Sequence, residues 1–288
     1  MAPRVNNALM KWLVGVDLRP SCAGSLAWLS WCHEWTGESA DALAVHAVEW
    51  PAVEAYAPPD AESVQGYVQS FLRERGHALE ARVMEGREPA DALAQAMSLH
   101  GADVLVIGRR ASRDGDELVR LGGVARRLLR QLPAPLIVCP ADLRAEDVPE
   151  GPVMIAIQPG SRFEHALRFA RRLSVSLGRP LKAVSVVPPA FPTGVTYLPT
   201  PQYEAGRLDQ AQAHLQDWLT KMKMTDVETR VEEGSTVSTL WQMAEDECAC
   251  LMVTGSRLLT ASERFTRSSV GTTLCGIARM PVAVVPPW

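Results

Sequence analysis

The sequence predicts an α/β protein built from two tandem doubly wound domains, each a mostly parallel five-stranded sheet with helices on both faces. Three observations carry that prediction. Short apolar runs alternate with longer segments of helical periodicity, the pattern of a parallel sheet covered on both sides. The order of elements restarts near residue 150, after a charged, proline-bearing and aperiodic linker over 141–152. Finally, Arg82-Val83-Met84-Glu85-Gly86 returns as Arg230-Val231-Glu232-Glu233-Gly234 before corresponding elements, which marks an internal duplication. The 288 residues suit two domains of roughly 140 residues, with boundaries at 1–143 and 144–288.

In the first half, Trp12-Leu13-Val14-Gly15-Val16-Asp17 is an apolar run closing on a carboxylate and predicts a strand. Pro20-Ser21 opens a helix over about 22–35, where Trp28, Trp31 and Trp35 share one face. A core stripe and a subunit contact both fit that spacing. Residues 42–48 predict a second buried strand, and the prolines over 51–59 a loop. Val64, Val68, Phe71 and Leu72 give helical spacing from Ala61 to about Arg75, with Gly76 as the stop. Residues 79–86 alternate as a strand, and Pro89 opens a helix reaching Leu99.

Val104 to Gly108 begins the fourth strand. A polar loop then reaches the glycine turn Leu121-Gly122-Gly123-Val124, a basic amphipathic helix and a closing strand in Pro135-Leu136-Ile137-Val138-Cys139-Pro140. In that helix Arg126, Arg127 and Arg130 oppose Val124, Leu128 and Leu132; a solvated face and an anion-facing patch both suit the pattern.

The second half repeats the series. Residues 153–158 match strand one, 162–177 the first helix and 181–187 the second strand; 188–201 is a proline-broken loop. A helix lies within 202–222, with Leu208, Leu215 and Leu219 on one side. Leu251-Met252-Val253-Thr254-Gly255 then leads through Arg267-Ser268-Ser269-Val270 and a helical segment to Pro281-Val282-Ala283-Val284-Val285-Pro286.

Composition narrows the function. A net charge of −4 and a pI near 5.9 argue against nucleic acid as the main partner. No apolar run approaches the ~20 residues that span a bilayer, and Met1 to Asn7 lacks a signal-peptide pattern, so membrane association is not expected and a cytoplasmic location is. The six cysteines and six histidines show no metal-ligand spacing. The cysteines read as small buried residues of a reducing compartment and the histidines as core or surface residues. A Gly-x-Ser-x-Gly elbow and a Gly-x4-Gly-Lys-Ser/Thr loop are both missing from the sequence, so no catalytic and no metal-binding residue is predicted.

Asp17 after strand one, the strand-two ending Val45-His46-Ala47-Val48, the glycine loop after strand four and the proline-flanked last strand together resemble a tandem universal stress protein, two UspA-type domains in one chain. The resemblance covers nearly the whole length. It implies an adenine-nucleotide α-hydrolase-like fold and a cytoplasmic stress-response role. It also implies antiparallel pairing of the two last strands into one continuous sheet, an internal pseudo-dimer, and it allows a homodimer; protein partners stay open.

Members of that family that bind ATP carry a glycine, two residues, a second glycine, nine residues, a third glycine and a Ser or Thr. Such glycines reach positive φ and admit phosphate to backbone N–H groups at a helix N-terminus, while the strand-one acid accepts from the adenine edge. In domain one Asp17, Gly108, Gly122 and Val124 fit; Ala111 and Gly123 replace the second glycine and the hydroxyl, and ten residues separate Ala111 from Gly122. In domain two Gly255, Ser269 and Val270 fit and the nine-residue spacing is kept, but Leu258, Ser268 and Gln158 replace two glycines and the acid.

The resemblance thus implies ATP or another adenine nucleotide, with or without magnesium, at degenerate loops. In domain one the implied contacts are Asp17, Ala47, Ile107, Gly108, Arg110, Gly122, Gly123 and Val124. In domain two they are Val186, Thr254, Gly255, Arg257, Ser268, Ser269 and Val270. Asp114, Asp116 and Glu117 lie in the first loop and repel phosphate unless a divalent cation intervenes. The expected function is a nucleotide- or ligand-responsive regulator without strong catalysis. Two alternatives stand beside it: a scaffold working through its tryptophan-rich helix or proline-rich loops, and an ATP-cleaving enzyme, for which neither Asp17-Leu18-Arg19-Pro20-Ser21 nor Gln158-Pro159-Gly160-Ser161 supplies the needed Ser-Gly-Gly-x-Asp-Ser loop.

Overall fold

The structure, a computed structural model, describes residues 10–36, 41–49, 60–109, 121–189, 201–256 and 269–288. In the first half β1 (Lys11–Gly15), β2 (Asp41–Glu49), β3 (Glu80–Gly86), β4 (Val104–Gly108) and β5 (Leu136–Cys139) alternate with α1 (Ala23–Thr36), α2 (Ala61–Glu74), α3 (Pro89–His100) and α4 (Gly123–Gln131). The strands lie in the order β3-β2-β1-β4-β5, and every neighbouring pair is parallel. Trp12, Leu13 and Val14 of β1 and Val104 to Ile107 of β4 are all buried, as strands covered on both faces must be.

The second half comprises β6 (Val153–Ala156), α5 (Glu164–Ser176), β7 (Leu181–Val187), α6 (Pro201–Lys221), β8 (Glu228–Glu233), α7 (Thr236–Asp246), β9 (Leu251–Gly255), α8 (Val270–Ile277) and β10 (Val282–Val285). Its order is β10-β9-β6-β7-β8, with β6 parallel to β7 and β9, and β7 parallel to β8. Strand for strand this repeats the first half. Packing divides the chain into two compact units. One comprises Met1–Val148, Ser176–Gly178 and Cys275–Ala283; the other comprises Pro149–Val175, Arg179–Leu274 and Val284–Trp288.

The elements start and stop where local chemistry dictates. Asp60 caps α2 by accepting from the Ser63 backbone N–H at 2.7 Å. Pro89 sits in the first turn of α3, and Gly101 ends that helix in the left-handed region at φ 59°. The tryptophan face of α1 belongs to the core: Trp28 and Trp31 are buried and stack with ring centroids 4.9 Å apart, while the Trp35 side chain lies outside the description.

Several expectations are corrected. Strand one ends at Gly15, short of Asp17, because Leu18 takes φ 58° and turns the chain into a 3-10 turn at Pro20–Cys22 ahead of α1. The 141–152 linker is packed: it holds a 3-10 turn at Ala145–Asp147, and Leu143 and Val148 are buried. Cys248 is exposed, so the reading of every cysteine as buried fails at that position; the other five are buried. The loops expected over 51–59 and 188–201 fall mostly outside the described residues, as do Asp114, Asp116 and Glu117. Among the described residues no helix is long and apolar enough to cross a membrane, and no cluster of His, Cys, Asp or Glu could hold a metal ion.

Candidate functional site

In the order β3-β2-β1-β4-β5 the chain leaves β1 toward β2 on one side and returns to β4 on the other. The carboxyl ends of β1 and β4 therefore flank the topological switch point, where an open α/β sheet leaves a crevice. A cavity of about 840 Å3 lies there, lined by the β1 end with its following turn, Val45 to Ala47 of β2, Ile107 and Gly108 of β4, and the start of α4. Its size falls within the range of ligand clefts, roughly 300–1,000 Å3. Seven of the eight residues expected in the first half line it: Asp17, Ala47, Ile107, Gly108, Gly122, Gly123 and Val124. Arg110 lies outside the described residues.

Each of these residues does something the sequence states only in part. The exposed Asp17 carboxylate accepts from the Ser21 hydroxyl at 2.6 Å and from the Arg19 backbone N–H at 3.0 Å, so it ties the turn that follows β1. A carboxylate has about four acceptor sites, and two donors leave room for a ligand. Leu18, held in the left-handed region between Asp17 and Arg19, carries strain of about 1–2 kcal/mol. Gly108 is required by close approach rather than by positive φ, which it does not adopt. A Cβ there would stand 1.9 Å from the Ser21 carbonyl oxygen. Gly122 also keeps a negative φ of −59°, so the expectation of left-handed phosphate-loop glycines fails at both positions.

What does offer itself to an anion is the start of α4. No side chain caps it, which leaves first-turn N–H groups without an intrahelical partner, and the space beside Gly123 is open. Three wall residues escaped the sequence reading. Arg19 brings a cation. His46 donates its Nδ1–H to the Val16 carbonyl at 2.7 Å, which leaves Nε2 as an acceptor when the ring is neutral. Cys22 donates its thiol to the Arg19 carbonyl, and burial, with the Asp17 charge adding, pushes its pKa up to about 11. His46 sits beside Ala47 in the strand-two ending, and that adjacency is the signal that would have found it. Of the three arginines on the basic helix, Arg127 pairs with Glu88 and Asp91 next to and within α3.

Arg109, which follows Gly108 directly, turns away from the cavity. It is 7% exposed, and its guanidinium donates to the carbonyls of Gly276 and Ala278 at 3.0 and 2.9 Å, with Cys275 more distant at 3.4 Å. Its backbone N–H donates to the Cys139 carbonyl at 2.7 Å. Burial lowers its pKa, offset in part by Asp142.

The second half has its own cavity at the β6/β9 switch point, of about 300 Å3. Val186, Thr254, Gly255, Ser269 and Val270 line it, joined by Gln158, Phe163, Val184 and Leu240 among others. Arg257 and Ser268 lie outside the described residues.

Comparison with known proteins places both halves. The model of the universal stress protein family matches residues 9–140 and again 151–286. No curated protein sequence matches. Among solved structures, a universal stress protein from Archaeoglobus fulgidus is 14% identical, covers 96% of this chain and 98% of its own, and superposes with a TM-score of 0.68. A protein of Pseudomonas aeruginosa UCBPP-PA14 assigned to the universal stress proteins is 14% identical over 97% of this chain and 94% of its own, with a TM-score of 0.63. The cytoplasmic domain of a prokaryotic cation chloride cotransporter is 12% identical over 97% and 96%, with a TM-score of 0.54. At such identities the likeness is one of fold.

Proposed function

The chain belongs to the universal stress protein family, matched over both halves, and from that premise we propose that it is a cytoplasmic regulator whose first half binds ATP or a related adenine nucleotide. The observation that carries the reading is the convergence of Asp17, Arg19 and the uncapped start of α4 on one cavity of about 840 Å3. In this reading Asp17 accepts from the base edge, and the phosphates lie against the first turn of α4 near Gly123, with Arg19 adding charge. Magnesium would serve to offset the acids of the 111–120 loop. Among the described wall residues the one thiol, Cys22, stays protonated at neutral pH. Binding rather than turnover is the expected activity.

Calorimetric titration with ATP and magnesium tests this. Gly123→Asp adds a Cβ that meets nothing within 4 Å, brings a negative charge to the start of α4, and is expected to weaken ATP by about tenfold or more through repulsion. Asp17→Asn should cost several-fold. If the wild-type chain gives no heat at millimolar ATP, the nucleotide reading fails and the scaffold reading takes its place.

The halves are further proposed to act as domains 1–143 and 144–288 forming an internal pair through their last strands. Two edges as apolar as Leu136–Cys139 and Val282–Val285 would invite aggregation if left bare. Slow amide exchange along both is the expected sign; fast exchange along either one removes the pairing.

A further inference from the structure

We propose that the second half's cavity binds an uncharged, mainly apolar small molecule rather than a nucleotide, so that the two halves of the chain respond to different ligands. This goes beyond the nucleotide reading, which concerns the first half alone. Its basis is the chemistry of the walls. No ionisable side chain stands among the described lining residues: the acid of the first half becomes Gln158, and no counterpart of Arg19 or His46 appears.

Apolar groups make up most of the surface. Val184, Val186, Leu240 and Val270 come from β7, α7 and the first residue of α8, and Phe163 comes from the 3-10 turn that leads into α5. Phe163 also changes the shape. A Cβ at Gly255 would meet its ring carbon Cδ1 at 2.9 Å, so an aromatic ring covers the β9 glycine where, at Gly108, a backbone carbonyl does so. The resulting volume of about 300 Å3 is well under half of the first cavity's 840 Å3, at the small end for ligand clefts.

The polar groups among the described wall residues are neutral: the Gln158 amide and the hydroxyls of Ser185, Thr236, Thr254 and Ser269. They suit a hydroxyl, carbonyl or amide edge on an otherwise apolar body. A polyphosphate drawn in would lose water without gaining a counter-charge from any described wall residue.

The test uses the full chain and N-phenyl-1-naphthylamine, an uncharged fluorophore. Saturable enhancement is expected, undisturbed by millimolar ATP with magnesium. It should weaken about tenfold or more in Val186→Trp and in Val270→Trp, which fill the cavity from different walls; thermal unfolding verifies that each variant is folded. The competition arm needs no variant. Displacement of the dye by ATP, unchanged affinity in either folded variant, or absence of saturable enhancement each overturns the proposal. Failure of ATP to bind in the calorimeter leaves the dye result standing, so the two readings fail separately.

Discussion

Two glycines on the same cavity wall have opposite tolerances. Gly108→Ala drives a methyl to within 1.9 Å of the Ser21 carbonyl oxygen and is expected to cost about 1–3 kcal/mol. Gly123→Ala meets nothing within 4 Å and should stabilise by about 0.4–1 kcal/mol by restricting the unfolded chain; urea unfolding of both variants checks the pair. The sequence showed that glycines stand at this turn but suggested the wrong cause, since close approach to a neighbouring backbone leaves no mark in spacing. Reactivity differs just as sharply among the cysteines. Burial pushes Cys250 and Cys275 up to about 12 and Cys22 to about 11, whereas Cys248 is exposed. A disulfide reagent at mildly alkaline pH should therefore label one thiol promptly in the native chain, and Cys248→Ser should abolish that fast phase. His77 adds a pH dependence. It bonds Ser30 on α1 at 3.3 Å, and burial, with Arg75 adding, lowers its pKa below the ordinary 6.5. The unfolded chain then takes up this proton first as pH falls, so the stability from a neutral His77 is complete above about 6.5 and declines below it. Melting temperatures from pH 8 downward should fall less steeply in His77→Gln.

Most elements were legible because their signals are periodic: β7 spans Leu181–Val187 as expected, and α2 and α3 end within a residue or two of their expected stops. The failures share a cause. The turns at Pro20–Cys22 and at Ser161–Phe163 are 3-10 segments too short to have a period, and the first is set by a leucine in a left-handed conformation that its own sequence disfavours. The packed 141–152 segment reads as a linker in sequence because Leu143 and Val148 are isolated apolar residues without repeat. Nothing in the sequence marks Arg109, next after the fourth strand, for burial. A buried guanidinium serving the carbonyl end of α8 is both a hydrogen-bond donor and a favourable charge for the helix dipole. Arg109→Gln keeps polarity but loses the charge and the fork, and is expected to cost about 1.5–3 kcal/mol in chemical denaturation.

For the molecule as a whole, fold and site were unequally visible. Duplication, the succession of strands and helices along the chain and the family were readable because they are distributed over many residues, and the first-half cavity followed from them. The contrast between the two cavities was not, since it depends on where Phe163 and Gln158 stand relative to Gly255. Packing also groups Cys275–Ala283 with Met1–Val148, so a fragment ending at Val148 lacks the carbonyls that Arg109 serves. Such a fragment is expected to unfold at a lower denaturant concentration, with a shallower transition, than the intact chain; circular dichroism during a urea titration checks this. The same grouping bears on synthesis. A ribosome delivers the chain from its N-terminus, and domains generally fold in that order as they emerge. Here the unit begun first stays unfinished until the chain has been made as far as Ala283, with a charged arginine waiting for carbonyl groups not yet made.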